Sequence, residues 1–405
     1  MPKAKRLLLV TSSYPAAGSS ERSFVHPELL ELVAAGFEVT LMPVHPVDQV
    51  DAALPAGVHV SKELAASYRR ALSLIAIFAL FFRREFWLEL IERPRLFFRL
   101  RFWKDSFRAV ISARIFRQFK GQFDLFYTYW FSGETTGMCF AGVSPLFTRA
   151  HGYDLYVERK ENAGWIPYRR FDLRNIEKVI VLSSRASYYL HDLYGLDRGR
   201  TLVSPLGVED QDVAPFDQRS LADDIVFFSC AYPAKVKRLP LICQFVSEFA
   251  RVNNHLKVRW VHIGAQFEDL LAEESENGLP KNLHIDALGA KSNNYVNSFI
   301  SSNKISFFVN LSEMEGLPVS IMEAMAFGVP VIATDVGCVG DLLGDGGGIL
   351  VPPSIAVTEL VRLVADLVGD SDRYLKMRFR ARESQQRKFN GQRNHMALAA
   401  FFRNL

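Results

Sequence analysis

The sequence has 405 residues, which is too long for one ordinary hydrophobic core and favours two domains of about 200 residues each. Hydrophobic residues make up 49% of the chain and charged residues 23%, which excludes an intrinsically disordered chain. The four cysteines show no CxxC spacing and predict buried free thiols in a reducing compartment. The net charge is only +4, but residues 68–120 carry thirteen Lys and Arg against four acids, so this segment has +9 and the rest of the chain −5.

The N-terminal segment predicts a strand and not a targeting sequence. Its apolar run "LLLV" is too short for a signal-peptide core. The following residues up to Val44 predict a polar loop, an amphipathic helix that ends at Gly36, and a second strand. Further strands are predicted at "FDLFYTYWF", "VSPLFTRAHG", "IEKVIVLSS" and "TLVSPLG", with a helix over "RASYYLHDLYG". This alternation indicates a parallel sheet covered on both faces by helices.

The same alternation starts again near residue 222. Strands are predicted at "DIVFFSCAY", "LKVRWVHIG", "NLHIDALG", "KISFFVNLS" and "VPVIATDVG", with helices between them. We therefore predict an α/β protein of two Rossmann-like, doubly wound domains, over residues 1–210 and 222–385. A C-terminal helix within residues 386–405 can pack on either domain, including back on the first. Because ligands bind beyond the C-terminal ends of such strands, we expect both sites to face an interdomain cleft.

The stretch "EMEGLPVSIMEAMAFG", residues 313–328, predicts a loop followed by a helix. Pro318 suits the first helical position, and Gly328 suits the end of the helix after Phe327. Gly316 allows a ligand to approach the backbone closely or allows a positive φ. Within residues 317–320 the N–H groups of Leu317, Val319 and Ser320 are expected to lack partners within the helix, and they suit a phosphate, whereas Pro318 has no N–H.

Two glutamates of this stretch suggest what accompanies the phosphate. Glu315 lies in the loop, and Glu323 lies eight positions later in the helix. Carboxylates repel a bare phosphate, but as hydrogen-bond acceptors they match vicinal hydroxyls. A nucleotide sugar has a diphosphate between two sugars. Its diphosphate suits the helix N–H groups, and its sugar hydroxyls suit the two carboxylates. Acids near a helix N-terminus also stabilise the helix by about 0.3–1 kcal/mol, so the spacing alone leaves both interpretations open.

The run from Ser312 to Gly337, "SEMEGLPVSIMEAMAFGVPVIATDVG", resembles the E-x7-E signature of retaining family 4 glycosyltransferases, which have the GT-B fold. The resemblance implies that Glu315 binds hydroxyls of the transferred sugar and that Glu323 binds the ribose of the nucleotide. It also implies a UDP- or GDP-linked sugar as donor substrate, no separate cofactor and no metal. Basic side chains and backbone N–H groups would then neutralise the diphosphate.

Other segments resemble further parts of the same family. In "SCAYPAKVKRLPLI", Lys237 occupies the position of a family Lys at the start of a helix, while Tyr232 stands where an Arg is most common. Arg238 is expected to supply the missing charge. The segment "RAHGYDLY" resembles the family's His-Gly loop, which implies that His151 contacts the donor sugar or its leaving phosphate. Gly18 matches one of two glycines common in the family's first loop, near the donor phosphates or the acceptor.

The resemblance also implies a mechanism. Transfer would retain the anomeric configuration through front-side departure and attack, with the donor's own phosphate accepting the acceptor proton. The motifs GxxxxGK[ST], HExxH and GxSxG are absent from the sequence, and the first loop lacks GxGxxG. Nucleotide hydrolases with a P-loop, zinc proteases, α/β-hydrolases and nicotinamide dehydrogenases therefore find no support.

A basic aromatic helical insertion is predicted at about residues 65–120 of the first domain. Its apolar run "LSLIAIFALFF" has eleven residues, short of the ~20 that span a bilayer, and arginines alternate with Phe and Trp after it. Such helices bind anionic membrane surfaces, although the aromatic residues could instead pack into the core with the arginines in solvent. Nucleic-acid binding is not favoured, because the rest of the chain is acidic and lacks a recognised module.

These features together predict a cytoplasmic enzyme, peripheral on the inner face of the membrane. Its acceptor would be a glycan linked to a polyprenyl diphosphate, in exopolysaccharide, capsule or lipopolysaccharide biosynthesis. One alternative is a glycosyltransferase that acts on a soluble acceptor. Another is a protein that binds a nucleotide sugar without catalysis.

Overall fold

The computed structural model describes residues 4–70, 74–211, 221, 224–264 and 278–405. The chain forms two compact units. Unit 1 comprises Met1–Pro205 and Gln392–Leu405, and unit 2 comprises Leu206–Gly391. Residues 212–220, between the two predicted domains, and the predicted start of the second domain at residue 222 lie outside the described residues.

Unit 1 is built on a parallel sheet, which has seven strands among the described residues, in the order β3-β2-β1-β4-β5-β6-β7. The strands are β1 (Lys5–Thr11), β2 (Phe37–Pro43), β3 (His59–Val60), β4 (Leu125–Thr128), β5 (Leu146–Ala150), β6 (Lys178–Val181) and β7 (Thr201–Val203). The strands predicted for the first domain are confirmed, and β3 is an addition too short to leave a sequence pattern. Strands β4, β5 and the inner part of β1 are buried on both faces, as expected of a covered parallel sheet.

Helices cover this sheet, and four of them form the predicted insertion. The helices are α1 (Arg22–Ala34), α2 (Glu63–Arg70), α3 (Leu74–Phe81), α4 (Arg84–Glu92), α5 (Leu100–Gln118), α6 (Gly133–Ala141), α7 (Gly152–Leu155), α8 (Arg169–Asn175) and α9 (Ser184–Tyr194). We call the segment from α2 to α5 the basic insertion. In the described part of the chain, no helix has the length and hydropathy that crossing a membrane requires.

Unit 2 repeats the architecture with a parallel sheet in the order β10-β9-β8-β11-β12-β13. The strands are β8 (Asp224–Ala231), β9 (Lys257–Gly264), β10 (Leu283–Ala287), β11 (Phe307–Asn310), β12 (Val331–Thr334) and β13 (Gly348–Val351). The helices are α10 (Leu239–Val252), α11 (Asn293–Ser302), α12 (Val319–Ala326), α13 (Val339–Leu343), α14 (Val357–Val368) and α15 (Ser371–Lys388). Its core contains the fully buried Trp260. The prediction of four buried free thiols is confirmed for Cys139, Cys243 and Cys338, whereas Cys230, near the end of β8, is only half-buried.

Both sheets reverse their strand order at one point. In unit 1 the reversal separates β1 from β4, and in unit 2 it separates β8 from β11. Connections leave such a pair of strands toward opposite faces, so a crevice opens beyond their C-terminal ends. The loops that follow β1, β4, β8 and β11 are therefore the positions where each unit can hold a ligand.

A buried ion pair joins the sheet of unit 1 to two of its helices, α1 and α16 (Gly391–Arg403). The guanidinium of Arg149 on β5 bonds to Glu28 on α1, and the two side chains are 0% and 1% exposed. Tyr127 donates to Glu28 at 2.9 Å, and His395 of α16 lies 3.4 Å from the same carboxylate. Burial would raise the pKa of Glu28, but the charge of Arg149 and the contacts with His395 and Tyr127 hold that pKa below its usual value.

This network predicts a large loss of stability for Arg149→Met. The substitution leaves the Glu28 carboxylate buried without its cation, and it should lower the free energy of unfolding by about 3–5 kcal/mol. Urea denaturation of the full chain measures the change. Arg198→Met is the control, because Arg198 packs on the exposed ring of Tyr188 and should contribute about 1 kcal/mol or less. A loss for Arg149→Met no larger than that of the control would contradict the prediction.

Candidate active site

A lysine and a glutamate meet at the C-terminal edge of the sheet in unit 2, where β8 and β11 are neighbours. Lys237 follows β8, and Glu315 lies in the loop between β11 and α12. The Nζ atom of Lys237 lies 2.7 Å from Oε1 of Glu315, and the side chains are 14% and 8% exposed. The structure therefore brings two of the predicted site residues into direct contact, at the point where the strand order reverses.

Two further residues, which the sequence analysis did not single out, hold the Glu315 loop in place. Asn310, the last residue of β11, donates its amide to Glu315 Oε1 at 3.0 Å. Gly337 has a φ of 57°, and a Cβ at this position would lie 2.1 Å from the carbonyl oxygen of Glu315. A side chain therefore cannot fit at residue 337. The sequence offered one signal for each residue: Asn310 is a polar residue at the end of a predicted strand, and Gly337 is a glycine directly after "ATDV".

Glu323 lies in the second turn of α12 and is 7% exposed. The amide of Asn293, the first residue of α11, donates to Glu323 Oε1. Burial raises the pKa of Glu323 to about 7, and the hydrogen bond from Asn293 lowers it only in part. Near neutral pH this carboxyl group is therefore divided between its neutral and ionised forms. Asn293 is a second contact that the sequence pattern did not reveal.

The start of α12 differs by one residue from the prediction. Pro318 was expected at the first helical position, but its ψ of 114° is extended, so it precedes the helix, which begins at Val319. Ala326 ends the helix, Phe327 follows it, and Gly328 has the expected positive φ of 65°. Leu317 is 6% exposed, so its side chain packs in the core. The ligand contacts predicted for Gly316, Leu317 and Pro318 stay predictions.

The position of Lys237 also differs from the prediction. It was expected at the start of a helix, but it ends a short 3-10 turn, Lys235–Lys237, and α10 begins at Leu239. Arg238 between them has a left-handed φ of 50°, which interrupts helical hydrogen bonding. The guanidinium of Arg238 donates to the carbonyl of Pro353 at 2.9 Å. The side chain of Arg238 is therefore directed toward Pro353, in the loop after β13.

Tyr232 and Cys230 are two further side chains near Lys237. The ring of Tyr232 is 65% exposed, and the Nζ atom of Lys237 lies 5.3 Å from its centroid. Burial raises the pKa of the Cys230 thiol to about 12, with a further increase from the charge of Glu323 and a decrease from that of Lys237. Lys237 and Glu323 are thus both near enough to Cys230 to act on it electrostatically.

His151 lies in unit 1, directly after β5, and is 8% exposed. Its ring centroid is 4.3 Å from that of Trp130 and 5.4 Å from that of Tyr129. Among the described residues, no hydrogen-bond partner reaches its buried Nε2 atom. An imidazole with one buried nitrogen left unpaired can still bond to a ligand.

Gly18 lies in the loop after β1 and has a φ of 76°. In the same loop, the backbone N–H groups of Ser12, Ser13 and Tyr14 all donate to the carboxylate of Glu21. A phosphate contact at Gly18 stays a prediction, but these three donors are already bonded within the chain. Glu21 left only one signal in the sequence, an acid just before a helix. Gly18 and His151 belong to unit 1, whereas Lys237, Arg238, Glu315 and Glu323 belong to unit 2.

The sequence of unit 2 matches a known family. Residues 210–384 match the family model described as "Glycosyl transferases group 1", and this range includes Lys237, Arg238, Glu315 and Glu323. Over 216 residues the chain is 26% identical to WcaL of Escherichia coli K12, which is named as a colanic acid biosynthesis glycosyltransferase. That alignment covers 52% of this chain and 53% of WcaL. The chain thus spans about half the length, or less, of the relatives that its sequence matches.

Solved structures match over nearly the whole chain. Sucrose-phosphate synthase from Thermosynechococcus elongatus has a TM-score of 0.68 and 18% identity, with coverage of 99% of this chain and 98% of that chain. Anabaena HepE in complex with UDP and glucose has a TM-score of 0.60 and 14% identity, with coverage of 99% and 100%. These likenesses show the fold. The chain therefore has the GT-B fold predicted for it, and its residues 210–384 match the family model of the group 1 glycosyl transferases.

Proposed function

We propose that the protein is a retaining glycosyltransferase that moves a sugar from a UDP- or GDP-linked donor to a lipid-linked glycan acceptor in exopolysaccharide, capsule or lipopolysaccharide assembly. The observation that carries the proposal is the Lys237–Glu315 ion pair beside the start of α12. A cation, a carboxylate and helix N–H groups together match a diphosphate joined to a sugar. The family match of unit 2 and the similarity to a protein named for colanic acid biosynthesis support it.

In this proposal unit 2 binds the donor. Lys237, Arg238 and the N–H groups at the start of α12 receive the diphosphate, and Glu323 accepts hydrogen bonds from the ribose hydroxyls. Glu315 receives hydroxyls of the transferred sugar. A bound diphosphate competes with Glu315 for Lys237, so donor binding would free Glu315 Oε1 from the ion pair and make it available to the sugar. The HepE complex with UDP and glucose supports a nucleotide-sugar donor for this fold.

The mechanism follows from the charges that develop during transfer. The leaving diphosphate oxygen becomes more negative and the anomeric carbon more positive, so Lys237, Arg238 and the helix N–H groups stabilise the leaving group. We propose front-side attack, with the donor phosphate accepting the acceptor proton, and therefore retention. Because the side chains supply the positive charge, we propose that the transfer needs no metal. The unpaired Nε2 of His151 would contact the sugar or the leaving phosphate.

The surface of the basic insertion carries the proposal about the acceptor. Phe98 and Leu100 are 87% and 84% exposed, and Phe82 is 86% exposed. Arginines flank these apolar side chains along the chain, among them Arg83, Arg95, Arg99 and Arg101. Exposed aromatic and aliphatic side chains next to cations match an anionic lipid surface. We therefore propose that the protein binds the inner face of the cytoplasmic membrane as a peripheral protein and uses an acceptor linked to a polyprenyl diphosphate.

A soluble acceptor is the second candidate, and one observation favours it. Other aromatic residues of the basic insertion are buried, with Phe86 and Phe102 stacked 5.5 Å apart in a cluster that also includes Leu96. The insertion therefore packs its own core, as the alternative derived from the sequence requires. Phe82, Phe98 and Leu100 do not belong to this core and stay exposed, which favours the membrane proposal over the soluble acceptor.

Glu315→Ala tests the sugar-binding role. We expect turnover with the best donor among UDP-glucose, UDP-galactose and GDP-mannose to fall about 10²-fold or more, because a contact to the reacting sugar is lost. The affinity for UDP, measured by calorimetry, should not weaken, because Lys237 remains. Glu313→Ala is the matched control, since Glu313 is an exposed acid in the same loop. Equal losses of turnover and UDP affinity would count against the role.

Glu323→Gln tests the raised pKa. Between about pH 4.5 and 7 the folded chain binds more protons at Glu323 than the unfolded chain, so this group lowers the free energy of unfolding as pH rises through that window. The free energy of unfolding of the variant minus that of the wild type should therefore be about 2 to 3 kcal/mol larger at about pH 8 than at about pH 5. Urea denaturation at both pH values measures this. A stability difference that does not change with pH would show that the carboxyl group has an ordinary pKa.

A triple variant, Phe97→Ser with Phe98→Ser and Leu100→Ser, tests membrane binding. We expect flotation of the wild type with vesicles that contain phosphatidylglycerol, and little flotation with phosphatidylcholine alone. The variant should bind about 10²-fold or more weakly, since each buried apolar side chain contributes about 1.5–3 kcal/mol. Phe379→Ser is the control, because Phe379 is 60% exposed but lies on α15 in unit 2. If the wild type binds neither vesicle, the soluble acceptor becomes the better candidate.

A further inference from the structure

We propose that Glu21 is a positioning residue, whose carboxylate fills an anion-binding nest at the end of β1 and fixes Trp130 against His151. The inference rests on the proposed function, because it concerns the imidazole to which that function assigns a ligand contact. Glu21 does not itself touch the donor or acceptor in this proposal. It acts through Trp130, which packs on the ring of His151.

The carboxylate of Glu21 is 3% exposed and is surrounded by hydrogen-bond donors. Its Oε1 atom accepts from the N–H of Ser12 at 3.1 Å and from the indole N–H of Trp130. Its Oε2 atom accepts from the N–H groups of Ser13 and Tyr14, the latter at 2.8 Å, and from the hydroxyl of Ser13 at 3.1 Å. Both oxygens are therefore used as acceptors, and a neutral amide could not replace them without turning an NH₂ group toward donors.

Three successive backbone N–H groups that converge on one point form a nest for an anion. This nest follows β1, beside the point where the strand order reverses, which is where an open α/β sheet binds its ligand. In unit 1 a carboxylate of the chain itself occupies the place. The loop after β1 is therefore held in one conformation before any substrate binds, and Glu21 satisfies the N–H donors that a phosphate would otherwise use.

The same carboxylate connects β1 with β4 and β5. Trp130 follows β4, and its indole is tied to Glu21 on one edge while its ring lies 4.3 Å from that of His151, with an interplanar angle of 37°. Tyr129 packs on His151 at 5.4 Å. The imidazole is therefore confined between rings, and the direction of its unpaired Nε2 depends on where Trp130 is held. Removing the Glu21 carboxylate frees the indole and leaves the N–H groups of Ser12, Ser13 and Tyr14 without this acceptor.

Glu21→Ala, studied in the whole 405-residue chain, tests the proposal. We expect turnover of the best donor among UDP-glucose, UDP-galactose and GDP-mannose to fall about 10²-fold, because a displacement of about 1 Å at a reacting group costs that much. The affinity for UDP should not change, since unit 2 binds the nucleotide in the proposed function. The tryptophan emission should shift, and the shift should be absent when Trp130→Phe is the background.

Chemical rescue distinguishes positioning from a general structural role. Formate is small enough to enter the vacated nest, and it should restore both the emission of Trp130 and most of the turnover of Glu21→Ala. Glu21→Gln should lose turnover without rescue, because the amide fills the nest. Glu38→Ala is the matched control, since it removes an exposed acid of the same unit. If Glu21→Ala proves too unstable to purify, Glu21→Gln replaces it. Its turnover and tryptophan emission are then measured in the native background and in the Trp130→Phe background.

Three outcomes would overturn the proposal. The first is a Glu21→Ala variant with the turnover of the wild type. The second is a loss of turnover that formate does not restore although circular dichroism shows a folded protein. The third is a Trp130 emission that shifts neither when Glu21 is replaced by Ala nor when formate is added. If the wild type itself turned over none of the nucleotide sugars, the proposed function would fail, while the emission and formate measurements would still decide whether Glu21 holds Trp130.

Discussion

The structure of both candidate sites depends on one constraint of parallel sheets, the crevice that opens where the strand order reverses. In unit 2 the crevice lies beyond β8 and β11, and the loops after these strands carry Lys237 and Glu315. In unit 1 it lies beyond β1 and β4, and the loops there carry Glu21 and Trp130. The two units use the same position differently. Unit 2 presents opposite charges in contact, whereas unit 1 fills its crevice with its own carboxylate and aromatic rings.

The charges of unit 2 are compensated by contacts within the chain. Glu315 shares Oε1 between Lys237 and Asn310, and Glu323 combines a hydrogen bond from Asn293 with a pKa of about 7. Buried charges without a partner are costly, so these contacts stabilise the site. They also set a condition on any ligand. A ligand must replace these contacts with equivalent ones, and a diphosphate with a hydroxyl-rich ring at each end can do so.

The basic insertion combines a core of its own with exposed apolar side chains. Its helices bury Phe86, Phe102 and Leu96 in a core of their own, yet they leave Phe98 and Leu100 almost fully exposed. Soluble proteins rarely expose several large apolar side chains together. The burial explains why the helices are stable on unit 1. The exposed side chains and the arginines that alternate with them form the surface on which the proposed contact with an anionic membrane rests.

The sequence by itself determined the α/β class and the repeat of the pattern near residue 222, because strand and helix periods are local properties of the chain. The GT-B fold was predicted from the resemblance of the run from Ser312 to Gly337 to a glycosyltransferase signature. The sequence also pointed to Glu315 and Glu323 through this run, and to Lys237 through the separate segment "SCAYPAKVKRLPLI". It misplaced the starts of α10 and α12 by one or two residues, since φ at Arg238 and ψ at Pro318 depend on the packing around them. Only the tertiary structure brought Lys237 to Glu315, 78 positions apart, and Trp130 to Glu21, 109 positions apart. Contacts over such separations arise from strand order and buried hydrogen bonds, which no local pattern records.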